Sequence, residues 1–224
     1  MSYIEASNLV KKYGSGEATV TAISDMNFTI SSGEFVGIMG VSGSGKSTLL
    51  SVMGAMNAPT SGNFVVDDID IYRLKSEKRA DFRREFLGFI FQSFHLVPYL
   101  TVIENVMLPL AIVKASGKNK RLMAESALAA VGLQSKIHRL PNQISGGEKE
   151  RVAIARAIVN EPPILLADEP TGNLDTRTSR EIMDLLRQLN DGGMTIVMVT
   201  HSPDCAAFAG RVLQISDGLL ISDN

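Results

Sequence analysis

The chain has a single cysteine, Cys205, in 224 residues, which rules out an internal disulfide and fits a reducing compartment. It lacks an excess of positive charge: 22 Lys and Arg stand against 24 Asp and Glu. Without a long basic tract it offers nucleic acid no electrostatic footprint, so none is expected as a main partner. Long apolar runs are missing too. The stretch from Val102 to Val113 is interrupted by Glu104 and Pro109 and is too short for a bilayer span. Met1 to Val10 has no continuous apolar core of the kind a secretory leader needs, and Glu5, Lys11 and Lys12 lie close by. These absences predict a soluble chain in the cytoplasm that reaches any membrane through a partner. Its length suits one domain with a subdomain.

Against that background, Gly40-Val41-Ser42-Gly43-Ser44-Gly45-Lys46-Ser47 spells G-x-x-x-x-G-K-S, the phosphate-binding loop pattern. Phe35 to Met39 before it reads as a buried strand, and Leu49, Leu50, Val52 and Met53 give the following segment the apolar face of a helix. Strand, glycine loop and helix is the order the motif needs. Glycines at 40, 43 and 45 let backbone N–H groups approach phosphate oxygens. The helix start adds its positive dipole end, Lys46 reaches the β- and γ-phosphates, and the Ser47 hydroxyl is placed to ligate Mg²⁺.

Around this loop the chain alternates strands and helices. Residues 3–10 and 22–30 alternate apolar and polar and predict half-buried strands, joined by a loop through Lys11 to Gly16. Tyr13 in that loop suits stacking on a purine, or equally a strand-end core position. Pro59 to Gly62 is a turn, Phe64 to Val66 a short strand, and the charged stretch 73–84 a solvated helix. Leu87 to Phe91 predicts a buried strand ending on Gln92, whose amide carbonyl there can face a metal or a water. Thr101 and Glu104 form a capping box, and everything from there to about Leu140 reads as helical, with Gly132 stopping the helix that starts at Lys118.

A second anion site follows. Ser145 and Glu148 again bracket a helix start, and Gly146 and Gly147 strip side chains from its mouth, leaving N–H groups and the dipole. Ile164 to Ala167 is an apolar strand ending in Asp168-Glu169, two carboxylates suited to holding Mg²⁺ and activating water. Asp175 lies in the next loop, a helix runs from Thr176 to Asn190, and the strand 195–200 delivers His201. Val212 to Ile215 and Leu219 to Ile221 form a closing hairpin around Asp217-Gly218.

Taken together these motifs resemble the ATP-binding cassette (ABC) ATPases over essentially the whole chain. In that likeness residues 40–47 match Walker A, Tyr13 the adenine-stacking loop, Gln92 the Q-loop, and Ser145 to Glu148 the signature. Asp168 and Glu169 match Walker B with its catalytic glutamate, Asp175 the D-loop, and His201 the switch histidine. Within the family, the stretches 33–40, 91–94, 167–175 and 197–201 are most similar to the LolD/MacB/FtsE group. Val41 stands where the family mostly has proline, Ile144 where it has leucine, and Lys149-Glu150 where glutamines are common.

The resemblance implies an α/β fold of the P-loop NTPase class: a mostly parallel core sheet, an antiparallel β subdomain and an α-helical subdomain. The RecA-like core and β subdomain would cover about 1–92 and 160–224, and the helical subdomain about 93–159. It implies ATP and Mg²⁺ as cofactors. ATP contacts fall to Tyr13, Gly40, Ser42, Gly43, Ser44, Gly45, Lys46, Ser47, Thr48 and Gln92, metal contacts to Ser47, Gln92 and Asp168, and catalysis to Lys46, Glu169 and His201. A homodimer would complete the site with Ser145, Gly146, Gly147, Glu148 and Asp175 from the second copy. An integral membrane permease would dock on the helical subdomain and the Gln92 loop through Phe94, Tyr99 and Leu100, placing the chain on the inner face of the cytoplasmic membrane. Lipoprotein release or macrolide efflux is the first function implied, and a division-type regulator that moves no substrate the second. A soluble cassette acting on ribosomes or DNA would need fused cassettes or a coiled-coil insertion, and neither is present.

Overall fold

Period-two alternation organises the first third of the chain. In the computed structural model, which describes residues 2–224, Ile4, Ala6 and Leu9 of strand β1 (Ser2–Tyr13) and Ile23, Met26, Phe28 and Ile30 of β2 (Val20–Ser31) turn to one buried face. After β3 (Phe35–Met39) and helix α1 (Lys46–Met53), β4 (Ser61–Val66) and β5 (Ile69–Asp70) extend this antiparallel sheet in the order β2-β1-β4-β5. Helix α2 (Ser76–Phe86) leads into β6 (Leu87–Ile90). Helices α3 (Val102–Met107), α4 (Gly117–Ala130) and α5 (Gly146–Ile158) follow, then β7 (Ile164–Asp168), α6 (Thr176–Asp191), β8 (Thr195–Thr200), α7 (Pro203–Ala206), β9 (Arg211–Ser216) and β10 (Leu219–Asp223).

The second sheet has the order β10-β9-β3-β8-β7-β6, parallel from β9 to β6 with β10 antiparallel at one edge. Its central strands are apolar throughout because both faces are covered. Ile164 and Leu166 of β7 join α1 and the antiparallel sheet in one core, while Leu165 and Ala167 join α3, α4, α5 and α6 in the other. The parallel sheet is thus the middle layer, and the C-terminal ends of β3, β6, β7 and β8 open on one edge.

Three expectations change. The Lys11 to Gly16 loop is shorter: Lys11, Lys12 and Tyr13 pair with Ile23, Thr21 and Val20, so ladder hydrogen bonding carries polar residues that period-two reading places outside a strand. The charged helix starts at Ser76, since Asp70 caps a separate 3-10 turn at Ile71–Arg73. The all-helical stretch to Leu140 is interrupted, with Pro109 inside a 3-10 turn at Leu108–Ile112 and another such turn at Gln134–Lys136, and a third, Pro141–Gln143, follows it. No described helix is long and apolar enough to cross a membrane.

Candidate nucleotide site

The chain leaves β3 at Met39 and re-enters helix at Lys46, and its glycines serve different ends. Gly45 has φ +102, and a Cβ there would lie 2.2 Å from the Ala22 carbonyl oxygen. Gly40 is not in the left-handed region; crowding fixes it, since a Cβ would lie 2.1 Å from the carbonyl oxygen of Ile215. Gly43, at φ +80, faces open space, as a phosphate-facing turn requires.

Lys46 is only 8% exposed and its Nζ donates to the carbonyl oxygens of Gly40 and Val41, each at 2.8 Å. The Ser44 hydroxyl is buried with no partner among the described residues. A buried hydroxyl and a buried ammonium held by two main-chain carbonyls, both within one glycine-rich loop, suit a loop built to bind an anion. A cavity of about 400 Å³ joins loop residues Ser42, Gly43 and Gly45 to Thr48 with Gln92, Asp168, Glu169 and His201, and Ala22 of β2 supplies another wall.

The carboxylates arrive from β7. Burial, then the neighbouring charge of Glu169, pushes the Asp168 carboxyl above the usual carboxylate range. Its Oδ1 accepts from Ser47 Oγ at 3.4 Å. Glu169 has φ +50, and its N–H donates to the Val199 carbonyl, so the chain turns sharply where the strand ends. The Glu169 carboxylate lies 2.8 Å from Nδ1 of His201, whose side chain is 69% exposed. Paired acids with a hydroxyl and an amide, all oxygen donors, fit Mg²⁺. Among the described residues no three His, Cys, Asp or Glu side chains gather as a self-sufficient metal site.

Of the other sequence-predicted residues, Tyr13, Ser145 to Glu148 and Asp175 are not in the lining of this cavity, whereas Gln92 is. Tyr13 ends β1, is 41% exposed, and its hydroxyl accepts from Asn57 Nδ2 at 2.5 Å, with the Lys11 ammonium 4.9 Å from the ring centroid. Gln92 is exposed two residues beyond the end of β6, and its carbonyl accepts from Asn173 Nδ2 at 2.8 Å. Ser145 and Gly146 are exposed at the mouth of α5. The Ser145 N–H donates to Glu148 at 2.8 Å and Ser145 Oγ accepts from the Glu148 N–H at 3.3 Å. The bond from the Ser145 N–H holds the Glu148 carboxyl below its ordinary range, against a smaller opposing effect of burial. Gly147 is bare for a second reason: a Cβ would lie 2.4 Å from Thr178 Cγ2. Asp175 caps α6, accepting from the Thr178 N–H at 3.0 Å and its hydroxyl at 2.6 Å. Signature and Asp175, joined through Gly147 and Thr178, form one exposed unit outside the lining of the phosphate-loop cavity.

Asn57, Asn173, Asn105 and Arg156 escaped the sequence reading. Asn105 interrupts the apolar set Val102, Ile103 and Val106, and Arg156 the set Ile154, Ala155 and Ile158. A polar side chain inside a buried helical face is the signal that was there. Lys46→Ala is expected to lower ATP turnover by about a hundredfold or more, because it removes the one buried cation at the loop; nucleotide titration and steady-state phosphate release measure it.

Residues 23–172 match the ABC transporter family. The chain is 47% identical over 96% of its length to the Bacillus subtilis ABC transporter ATP-binding protein YvrO, covering 94% of that protein. It is 44% identical to the macrolide export ATP-binding/permease protein MacB of Neisseria meningitidis serogroup B, of which it spans 35%. Among solved structures it resembles the ATP-binding cassette MJ0796, captured as a post-hydrolysis dimer with ADP and Pi, at TM-score 0.90 and 42% identity over 99% of this chain and 97% of that one. Motif order, sheet topology and these likenesses agree: the chain belongs to the ABC transporter family, as an ABC ATPase.

Proposed function

We propose that the chain binds ATP with Mg²⁺ in the cavity at the phosphate loop and hydrolyses it between two copies, driving a membrane permease of the lipoprotein-release or macrolide-efflux type. The observation that carries this reading is the split site. One cavity collects Lys46, Ser47, Gln92, Asp168, Glu169 and His201, while the bare helix mouth at Ser145 to Gly147 points to solvent elsewhere on the same chain. A triphosphate contacts both only across an interface. A second, open cavity of about 1110 Å³ shares Glu169 and His201 with the first and runs along α6 to Arg187, giving a second copy a continuous surface.

In this reading the loop N–H groups, Ser42, Ser44 and Thr48 hold the phosphates, Tyr13 stacks on the base, and Lys46 leaves its carbonyl partners for the β- and γ-oxygens. Ser47, Asp168 and Gln92 hold Mg²⁺, which when bound neutralises phosphate charge. Glu169 takes a proton from the attacking water, and His201, already bonded to it, fixes its direction and meets the γ-phosphate. Ser145, Gly146, Gly147, Glu148 and Asp175 of the second copy close over the nucleotide.

MacB is named as an ATP-binding/permease protein, and a permease is the partner proposed here. The chain would then sit on the inner face of the cytoplasmic membrane. Tyr99, 79% exposed, is the proposed anchor, with the half-buried Phe94 and Leu100 beside it on the approach to the helical segment over about 93–159. Tagged protein purified from detergent-solubilised membranes is expected to bring down a permease with few spans and a large outer domain. Tyr99→Asp should lower that recovery about tenfold, as for loss of an aromatic interface anchor. Recovery of ribosomal proteins with no permease would overturn the transport reading.

A further inference from the structure

Tyr13 does not line the phosphate cavity, yet β2 connects the two. Lys11 pairs with Ile23 but Lys12 with Thr21, so β2 slips by one residue and Ala22 bulges from the ladder. Ala22 lines the phosphate cavity, and its carbonyl oxygen is the one that crowds Gly45. Two residues back along β2, about 7 Å of extended chain, Val20 pairs with Tyr13. Directly opposed residues of an antiparallel pair share a face, so the exposed Val20 flanks the Tyr13 ring.

The ring is held from the other direction by the segment 57–60, which follows α1 and runs against the end of β1. Asn57 Nδ2 donates to the Tyr13 hydroxyl at 2.5 Å, and the Lys11 ammonium donates to the Ala58 carbonyl at 2.7 Å. Thr60 Oγ1 accepts from the Lys12 N–H at 2.9 Å, and the Thr60 N–H donates to the Val10 carbonyl at 2.7 Å. So anchored, the ammonium stands 4.9 Å from the Tyr13 ring centroid, within cation–π range. It covers one face while the hydroxyl is engaged, so the exposure left to Tyr13 falls mainly to the opposite face. Asn57 is in turn fixed to the last turn of α1. Its N–H donates to the Ser51 carbonyl at 3.2 Å, and the Tyr72 hydroxyl shares its proton between the carbonyls of Val52 and Asn57, at 2.6 and 2.9 Å. The helix that begins at Lys46 therefore carries the phosphate loop at one end and the tether of Tyr13 at the other.

We propose that Asn57 and Lys11 are positioning residues for Tyr13: they set the ring so that its free face, beside Val20, takes the base of a nucleotide whose phosphates lie in the loop. A tethered ring has already lost the freedom that stacking would otherwise cost, so the strength of the stack is set from α1 as well as by Tyr13. The positioning role rests on Tyr13 stacking on the base; the tether itself does not.

The test is equilibrium titration of the nucleotide-free chain with ADP and with tripolyphosphate, which carries phosphates and no base. Tyr13→Ala should weaken ADP about thirtyfold, the loss of one base–aromatic stack, and leave tripolyphosphate unchanged. Asn57→Ala should weaken ADP about fivefold, the worth of one hydrogen bond, again without touching tripolyphosphate. Tyr13→Phe, which keeps the ring and drops the hydroxyl, should match it, and Asn57→Ala combined with Tyr13→Phe should be no weaker than either. Asn57→Asp, to which the Tyr13 hydroxyl can donate, should restore wild-type affinity. Lys11→Met, uncharged and of similar length, should weaken ADP about threefold. Wild-type ADP affinity in Asn57→Ala or Lys11→Met, or a loss that extends equally to tripolyphosphate, overturns the positioning role and leaves the stack standing. Should Tyr13→Ala bind ADP as the wild type does, the base-stacking assignment falls and the positioning role with it.

Discussion

Glu169→Gln protein is expected to bind ATP as tightly as the wild type, to hydrolyse it about 10²- to 10⁴-fold more slowly, and to accumulate as an ATP-bound dimer. The substitution is informative because so little else changes. Glutamine has the shape of glutamate, tolerates the same turn at φ +50, and can still meet His201 Nδ1, which the glutamate contacts at 2.8 Å. What it lacks is basicity toward water. Lys46, Ser47 and Asp168 stay in place, so binding and closure, which depend on charge already at the site, persist. Single-turnover phosphate release and size-exclusion chromatography with ATP read the two halves separately. Turnover within tenfold of wild type, or a monomer at saturating ATP, would remove Glu169 from the catalytic role.

Much of the site was legible because its chemistry demands contiguous residues. The phosphate loop is eight successive positions between a buried strand and a helix, and the acid pair closes an apolar run that can only be an interior strand. Parallel strands bury both faces, so β3, β7 and β8 stood out as uninterrupted apolar stretches. What escaped was set by contacts remote in sequence. Lys11 to Tyr13 are strand because β2 is there to pair with them, and Gly40 is glycine because the Ile215 carbonyl stands where a Cβ would be. Gly147 read as an opened helix mouth, and it is also the gap that Thr178 fills. Of the departures from family pattern, Ile144 is buried in the helical core, as a leucine would be; Val41 is largely exposed, and nothing in the structure explains it. Glu150, which stands where the family commonly has glutamine, is a sealed side chain, because which face of α5 is covered depends on α3, α4, α6 and β6 packing around it.

That burial makes the second large effect thermodynamic. Glu150 has its carboxyl raised from an ordinary 4.5 to about 8 in the folded chain, so the folded state holds a proton that the unfolded state has already released between those values. Stability is therefore greatest below about pH 4.5 on account of this group and is lost as pH rises toward about 8. The full loss is on the order of 5 kcal/mol, from about 1.4 kcal/mol per unit. Burial is the dominant cause and the Arg156 cation only a partial offset. Glu150→Gln removes the titration and keeps the shape. It should melt within about 3 °C of wild type at pH 5 and on the order of 10–15 °C higher at pH 8. Arg156→Gln should do the reverse at pH 8, since the ionised carboxylate then has no counter-charge in the core. Parallel melting curves of wild type and Glu150→Gln across pH 5 to 8.5 would mean that Glu150 reaches water or finds a donor in solution, and the buried acid would cease to be a cost that this chain carries.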